Sequence, residues 1–286
     1  MRTDGALMEN RFHNTDHPCF SGKAAARFGR VHLPVAPRCN IRCNYCNRLY
    51  DCPNEGRPGV TSRVMDTGEA LDFLERAMAM GPISVAGVAG PGDPLANPRE
   101  TFAALELVRE AHPDLLRCLS TNGLALPEHI DEVVSLASHV TVTVNAVDEA
   151  VGSKVYRWVN TGDRVYRSRE AAAALVERQL KGIQRLKEAG LVVKVNTVVV
   201  PGVNEGQVPV IASVMKDLGV DLYNAMPLFP VAGTPFAGLP EPGRARMREL
   251  RKAAGSYLPQ MTHCARCRAD AAGMIGTSQK VETRCG

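Results

Sequence analysis

The chain has 286 residues, of which 45% are hydrophobic, enough for one large α/β domain with a substantial core and too apolar for a disordered chain. Its formal charge of +4, from 34 basic and 30 acidic side chains, is scattered, which argues against nucleic-acid binding and leaves an anionic small ligand or an acidic protein as partner. The nine cysteines are an odd number in a chain with no signal-peptide core and no membrane-length apolar run, so a cytoplasmic, reducing setting with metal or redox chemistry is expected in place of disulfides.

Residues 1–29 are read as an amino-terminal extension without periodic pattern. From residue 30 valine- and isoleucine-rich runs alternate with helical patterns: a strand at 30–36 and a helix at 67–80, then 83–90 and 98–112, 115–121 and 126–137, 139–145 and 168–190, 191–200 and 204–219, 220–228 and 243–258. Several helices close on glycine, as at Gly190 and Gly219, where a left-handed cap is wanted. Six strand-then-helix units imply a parallel sheet with right-handed crossovers, either doubly wound or curled into a barrel. The barrel spans 30–258, and 259–286 forms a separate carboxyl-terminal segment. A barrel places its chemistry at the carboxyl ends of its strands. Here those turns are polar and glycine-rich: "AGPGDPLANP", "STNG", "NAVDEA", "VVPGVNE" and "MPLFPVAGTP".

Directly after the first strand, "RCNIRCNYC" (38–46) sets Cys39, Cys43 and Cys46 on one short loop. Three thiolates suit a 4Fe-4S cube whose fourth iron is left for a non-protein ligand. Zinc is the rival, but a structural zinc wants four closed ligands, and the intervening Asn44 and Tyr45 supply none. Among the other cysteines, Cys264 and Cys267 form a two-ligand hook. Cys118, in "LLRCLS", is either a small buried hydrophobe or a ligand. Cys285 reads as a free thiol in a frayed tail.

Cys39, Cys43 and Cys46, with an aromatic just before the last, resemble the signature of the radical S-adenosylmethionine (SAM) enzymes. The resemblance implies a partial (β/α)6 barrel of TIM-like type whose cluster binds SAM and cleaves it reductively to a 5′-deoxyadenosyl radical. It also implies SAM contacts at Gly90, Gly92 and Asp93 of "GPGDP", at Ser120, Thr121 and Asn122 of "STNG", and at Asn145, Asn196 and Met226 on the next three strand ends. Taken singly, each of these is a common turn residue.

Four further segments, "HPCF" (17–20), "LPVAPRCNIRCNYCNR" (33–48), "NEGRPGV" (54–60) and "HCARCRADAAGMIG" (263–276), resemble the maturases of nitrogenase cofactor biosynthesis within that superfamily. This resemblance implies that two 4Fe-4S clusters are fused, with a carbide from a SAM methyl group and an extra sulfide, into an 8Fe-9S-carbon precursor. It implies three 4Fe-4S clusters, one SAM-binding and two as substrate. Their further ligands would be Cys19, Cys52, Cys118, Cys264 and Cys267, with His13 or His17 favoured over His32 and His263 as a completing imidazole. Glu55 and Arg57 would orient substrate clusters or manage protons, unless they are a surface pair, and Arg268 and Asp270 would support the hook. Expected partners are iron-sulfur cluster donors, a reductant such as ferredoxin or flavodoxin, and downstream cofactor carrier or assembly proteins, around a monomer. Some relatives carry an added carboxyl-terminal cofactor-holding domain; this chain stops about ten residues after the terminal motif, so release to another protein is expected. Two other functions compete: a radical SAM enzyme with auxiliary clusters that modifies a peptide or small molecule, and an iron-sulfur carrier without catalysis.

Overall fold

The computed structural model describes residues 16–54 and 56–276. His13, Glu55 and Cys285 lie outside the described residues. The main sheet is built on β1 (Gly29–His32), β3 (Ile83–Val88), β4 (Leu116–Thr121), β5 (His139–Thr143), β8 (Val192–Val199) and β9 (Leu222–Pro227). These six run parallel in chain order. A two-residue strand, β10 (Ala272–Gly273), adds antiparallel to the free edge of β1. The sheet is thus a curled half-barrel that does not close on itself, which bears out the expected partial (β/α)6 architecture.

The helices lie close to where the periodicity puts them. They are α2 (Thr67–Met80), α3 (Pro98–Ala111), α4 (Ile130–Leu136), α6 (Ser168–Glu188), α7 (Gln207–Asp217) and α8 (Arg244–Ala254). In α2 the buried residues Ala70, Phe73, Leu74 and Ala77 fall at helical spacing on one face, and Asp66 with Glu69 closes its start as a capping box. Short helices α1 (Gly22–Ala25) and α5 (Glu149–Val155) complete the set.

A second, antiparallel sheet escapes the periodicity. It consists of β2 (Ile41–Cys43), β6 (Tyr156–Asn160) and β7 (Val165–Arg167). Its strands are three to five residues long and interleaved with Arg42, Arg157 and Arg167, so no window is long enough to show an alternation. The first long connection, between β1 and α2, holds β2 and the three-cysteine loop.

A parallel sheet covered on both faces reads as an unbroken hydrophobic run. Here the strands alternate instead. Val31, Ala86, Val88, Leu119, Val140, Val142, Val193, Val195, Tyr223 and Ala225 pack with Phe73, Leu105, Ile183 and Ile211 of the helices in the principal core. Their neighbours His32, Gly87, Cys118, Thr141, Lys194 and Asn224 face the other way and line a cavity inside the half-barrel. Leu119 is fully buried in the outer layer. Leu119→Ala is therefore expected to lower the unfolding free energy by about 2–5 kcal/mol, read as a fall in urea midpoint at constant slope; a change below 1 kcal/mol (roughly, by the same principle) would place it outside the core.

Candidate active site and the cysteine-lined cavity

Cys43 ends β2 opposite Tyr156 of β6, and the Cys46 amide donates to the Cys43 carbonyl at 3.1 Å. The loop rests on a second apolar cluster that includes Ile41, Tyr45, Leu124, Tyr156, Val198 and Met226. Tyr45 fixes it to the barrel: its hydroxyl donates to Asn54 Oδ1 and accepts from Asn145 Nδ2 at 2.6 Å. Asn145 Oδ1 in turn accepts from the Val198 amide at 2.8 Å. Both ends of the Asn145 amide are thus engaged in holding the loop.

Burial, with the nearby Asp93 carboxylate adding to it, pushes the Cys39 thiol up to about 12. Burial also raises Cys43 and Cys46, and the Cys46 and Cys39 thiols raise Cys43 further. Burial is the main cause for all three, and a cationic metal group such as an iron-sulfur cube would favour their thiolates.

The "GPGDP" turn runs against the same loop. Gly92 donates to the Ala36 carbonyl at 2.6 Å and Asp93 to the Arg38 carbonyl at 2.8 Å. A Cβ on Gly92 would sit 2.0 Å from the Arg38 oxygen, so only glycine allows this approach. The buried Asp93 carboxylate accepts from the Leu95 amide at 2.9 Å, the Asn122 amide at 2.6 Å and the Thr121 hydroxyl at 3.0 Å. Burial raises its carboxyl, and these donors oppose the rise. Asn122 Nδ2 donates to Asn40 Oδ1 at 2.7 Å and lies 3.9 Å from Cys39 Sγ. Gly90, Gly92, Asp93, Thr121 and Asn122 are therefore gathered behind Cys39, with the polar side chains tying the two turns together. Ser120, Asn196 and Met226 line the interior cavity instead.

That cavity, of about 60 Å³, is bounded by Cys19, Cys118, Cys264 and Cys267. On the strands, Gly87 pairs with Cys118, and a Cβ at position 87 would sit 2.4 Å from the Cys118 sulfur. The glycine makes room for the thiol. Below it, the Cys19 amide donates to His17 Nδ1 at 3.1 Å, and the buried His17 Nε2 has no hydrogen-bond partner among the described residues. The His17, Phe20 and His139 rings pack with centroids 4.6 to 4.8 Å apart. Burial pushes the Cys19 thiol up to about 11; Lys194 and Arg30 oppose this, whereas Cys267 and Cys264 add to it.

The carboxyl-terminal hook is clamped on from outside. Arg30 donates to Cys267 Sγ at 2.8 Å and to the Met274 carbonyl at 3.0 Å. Arg268 forks onto Asp270 at 2.7 and 3.0 Å and reaches the Thr61 carbonyl at 2.8 Å, while the Ala269 amide donates to Asp51 Oδ2 at 3.0 Å. Cys52 stands apart from the other four. Its amide donates to the Pro91 carbonyl at 2.8 Å, and it acts electrostatically on Tyr45 and Arg48 beside the three-cysteine loop. Arg57 is exposed and lines a wider opening with Tyr50, Phe229 and Arg266; Cys264 borders both spaces. Among the described residues no three Cys, His, Asp or Glu side chains are set to hold a single metal ion. Arg30, Gly87 and Lys194 were not singled out by motif; the only sequence signal was the polar i, i+2 pair Lys194 and Asn196 in a valine-rich strand.

The Radical SAM superfamily profile matches residues 33–215. The chain belongs to the radical SAM superfamily. It is 49% identical over 263 residues to the FeMo cofactor biosynthesis protein NifB of Chlorobaculum tepidum, covering 91% of this chain and 62% of that protein. It is 46% identical over 266 residues to NifB of Klebsiella pneumoniae, covering 91% and 57%. The chain thus spans little more than half the length of several of these curated relatives. Among solved structures, SuiB of Streptococcus suis bound to S-adenosylmethionine superposes with a TM-score of 0.58 at 14% identity, covering 81% of this chain and 49% of SuiB. The FeFe-hydrogenase maturase HydG from Carboxydothermus hydrogenoformans superposes with a TM-score of 0.56 at 15% identity, covering 91% and 59%. These two likenesses establish the fold.

The buried His139 and the half-buried His32 give the cavity a pH signature. Burial, joined by Arg30, holds His32 down at about 4, and burial, joined by Lys194, does the same to His139. Unfolded histidine protonates near 6.5. The unfolded chain therefore takes up protons first, and the stability present above that pH is lost as pH falls toward 4. For cluster-free protein the expected loss is on the order of a few kcal/mol, read from denaturant midpoints at neutral and acid pH; a flat profile would show that these rings are not held neutral.

Proposed function

We propose that this chain is a SAM-dependent maturase that fuses two 4Fe-4S substrate clusters, with a carbide derived from a SAM methyl group and an extra sulfide, into the 8Fe-9S-carbon precursor of the nitrogenase cofactor. The observation that carries this reading is the second set of thiols: Cys19, Cys118, Cys264 and Cys267 border one cavity inside the half-barrel, apart from the Cys39 loop. Similarity to FeMo cofactor biosynthesis proteins across 91% of the chain supports it.

In this reading Cys39, Cys43 and Cys46 hold the resident 4Fe-4S cluster, which when bound supplies an electron to SAM at an open iron. Gly90 and Gly92 bring backbone close to the methionine end of SAM, and Asp93, Thr121, Asn122 and Asn145 keep the surrounding turns in place. Ser120, Asn196 and Met226 face the space between SAM and the substrate clusters. Cys19, Cys118, Cys264 and Cys267 hold those clusters, with Cys52 reaching them from the side of the SAM loop. These thiols are fewer than two closed all-cysteine cubes require, which suits clusters that must fuse and leave. His17, whose Nε2 is buried without a partner among the described residues, or His13 completes a site. Arg57 works at the opening, and Glu55 shares the task of orienting substrate clusters or managing protons. Residues 1–29 and 259–286 act as ligand-bearing extensions of the barrel at 30–258.

Partners follow from the chemistry: iron-sulfur cluster donors, a small electron-transfer protein as reductant, and a protein that accepts the product. No helix among the described residues is long and apolar enough to cross a membrane. Anaerobic reconstitution is expected to load about twelve irons per chain, and incubation with SAM alone to give 5′-deoxyadenosine and S-adenosylhomocysteine together. Loading of only four (roughly one cube), or absence of S-adenosylhomocysteine, would contradict the maturase reading.

A further inference from the structure

Lys194 projects from the middle of β8 into the half-barrel, with its neighbour Thr141 opposite it on β5. It is 6% exposed. Its ammonium has weak polar contacts, the Cys19 carbonyl at 3.5 Å and Met261 Sδ at 3.8 Å, and it lies 4.8 Å over the Phe20 ring. Among the described residues no carboxylate pairs with it, and the lining of the cavity it shares with Cys19, Cys118 and Cys267 contains no Asp or Glu.

Burying a charge without a partner costs several kcal/mol (roughly, even after relaxation), and a fold that only needed to fill this space would use an apolar side chain. The cavity lining offers it histidine rings, thiols and amides, and no acidic side chain. Among the described residues no carboxylate supplies the missing negative charge, and a bound anionic group would supply it. An iron-sulfur cube bound by thiolates is anionic, and its sulfides accept hydrogen bonds that tune its potential.

We propose that Lys194 binds the iron-sulfur substrate clusters held by Cys19, Cys118 and Cys267, as a buried counter-charge and hydrogen-bond donor on the strand side of a cavity that Arg266 also lines. The proposal rests on the reading that substrate clusters occupy this cavity. A cation here stabilises the reduced, more negative cluster most, so it raises the cavity potential and leaves the cluster on the Cys39 loop less affected.

The test uses the full chain with Cys39, Cys43 and Cys46 replaced by alanine, so that only cavity clusters are observed. Reduction is followed by electron paramagnetic resonance in the presence of Lys194, Lys194→Met or Lys194→Arg. The Met variant is expected to be about tenfold harder to reduce, a fall of about 59 mV for one electron, and the Arg variant to keep most of the parent potential. Loss of cavity iron in Lys194→Met with unchanged circular dichroism, and its retention in Lys194→Arg, supports the same assignment. A fully loaded Lys194→Met protein with the parent potential, or equal loss of iron in both variants, overturns it. If the parent itself takes up no cavity iron, the maturase reading fails along with it.

Discussion

Six parallel strands alternate between a face that packs under helices and a face that looks inward, and the inward face is polar. A barrel this size normally fills its interior with branched aliphatic side chains. Here His32, Gly87, Cys118, Thr141, Lys194 and Asn224 replace them, and the stability of the sheet falls to the outer layer of valines and the helices over it. Everything else at the site depends on this division. It leaves space inside the half-barrel, lines the space with thiols and nitrogen groups, and obliges the two chain ends to cover what the strands leave open.

Three sets of hydrogen bonds keep the reagent side apart from the cavity side. Tyr45 and Asn145 fasten the three-cysteine loop to β8. Asp93 fastens the glycine turn after β3 to the turn after β4. Arg30 fastens the terminal hook to β1 through Cys267 and Met274. Each tie joins residues distant in sequence, and each uses a buried polar group whose loss would leave its partners unsatisfied. Cys52 and Arg57 lie on a loop that touches both sides, since the Cys52 amide meets Pro91 and the Arg57 amide meets the Cys267 carbonyl at 2.9 Å.

The strands and helices of the barrel were legible because valine runs, helical spacing and glycine stops are local signals. Thr67–Met80 was read to its ends, since its capping box and apolar stripe lie within the element. The Cys39 loop was legible for the same reason. What depends on pairing across the chain was not. β10 is two residues long and acquires meaning only beside β1. The tie between Asn145 and Tyr45 was not legible either, because the two lie 100 residues apart. Cys19, Cys118, Cys264 and Cys267 could be named one by one from the sequence, but their common cavity could not, and only the alternation of β8 gives Lys194 a direction.

The central claim is that two separate thiol sites serve one reaction, and its most direct measurement is anomalous diffraction at the iron edge from anaerobically reconstituted crystals. The account predicts iron at Cys39, Cys43 and Cys46 and a second region of iron inside the half-barrel, ligated by Cys19, Cys118, Cys264 and Cys267. Iron confined to the Cys39 loop, with those four sulfurs bare, would contradict it.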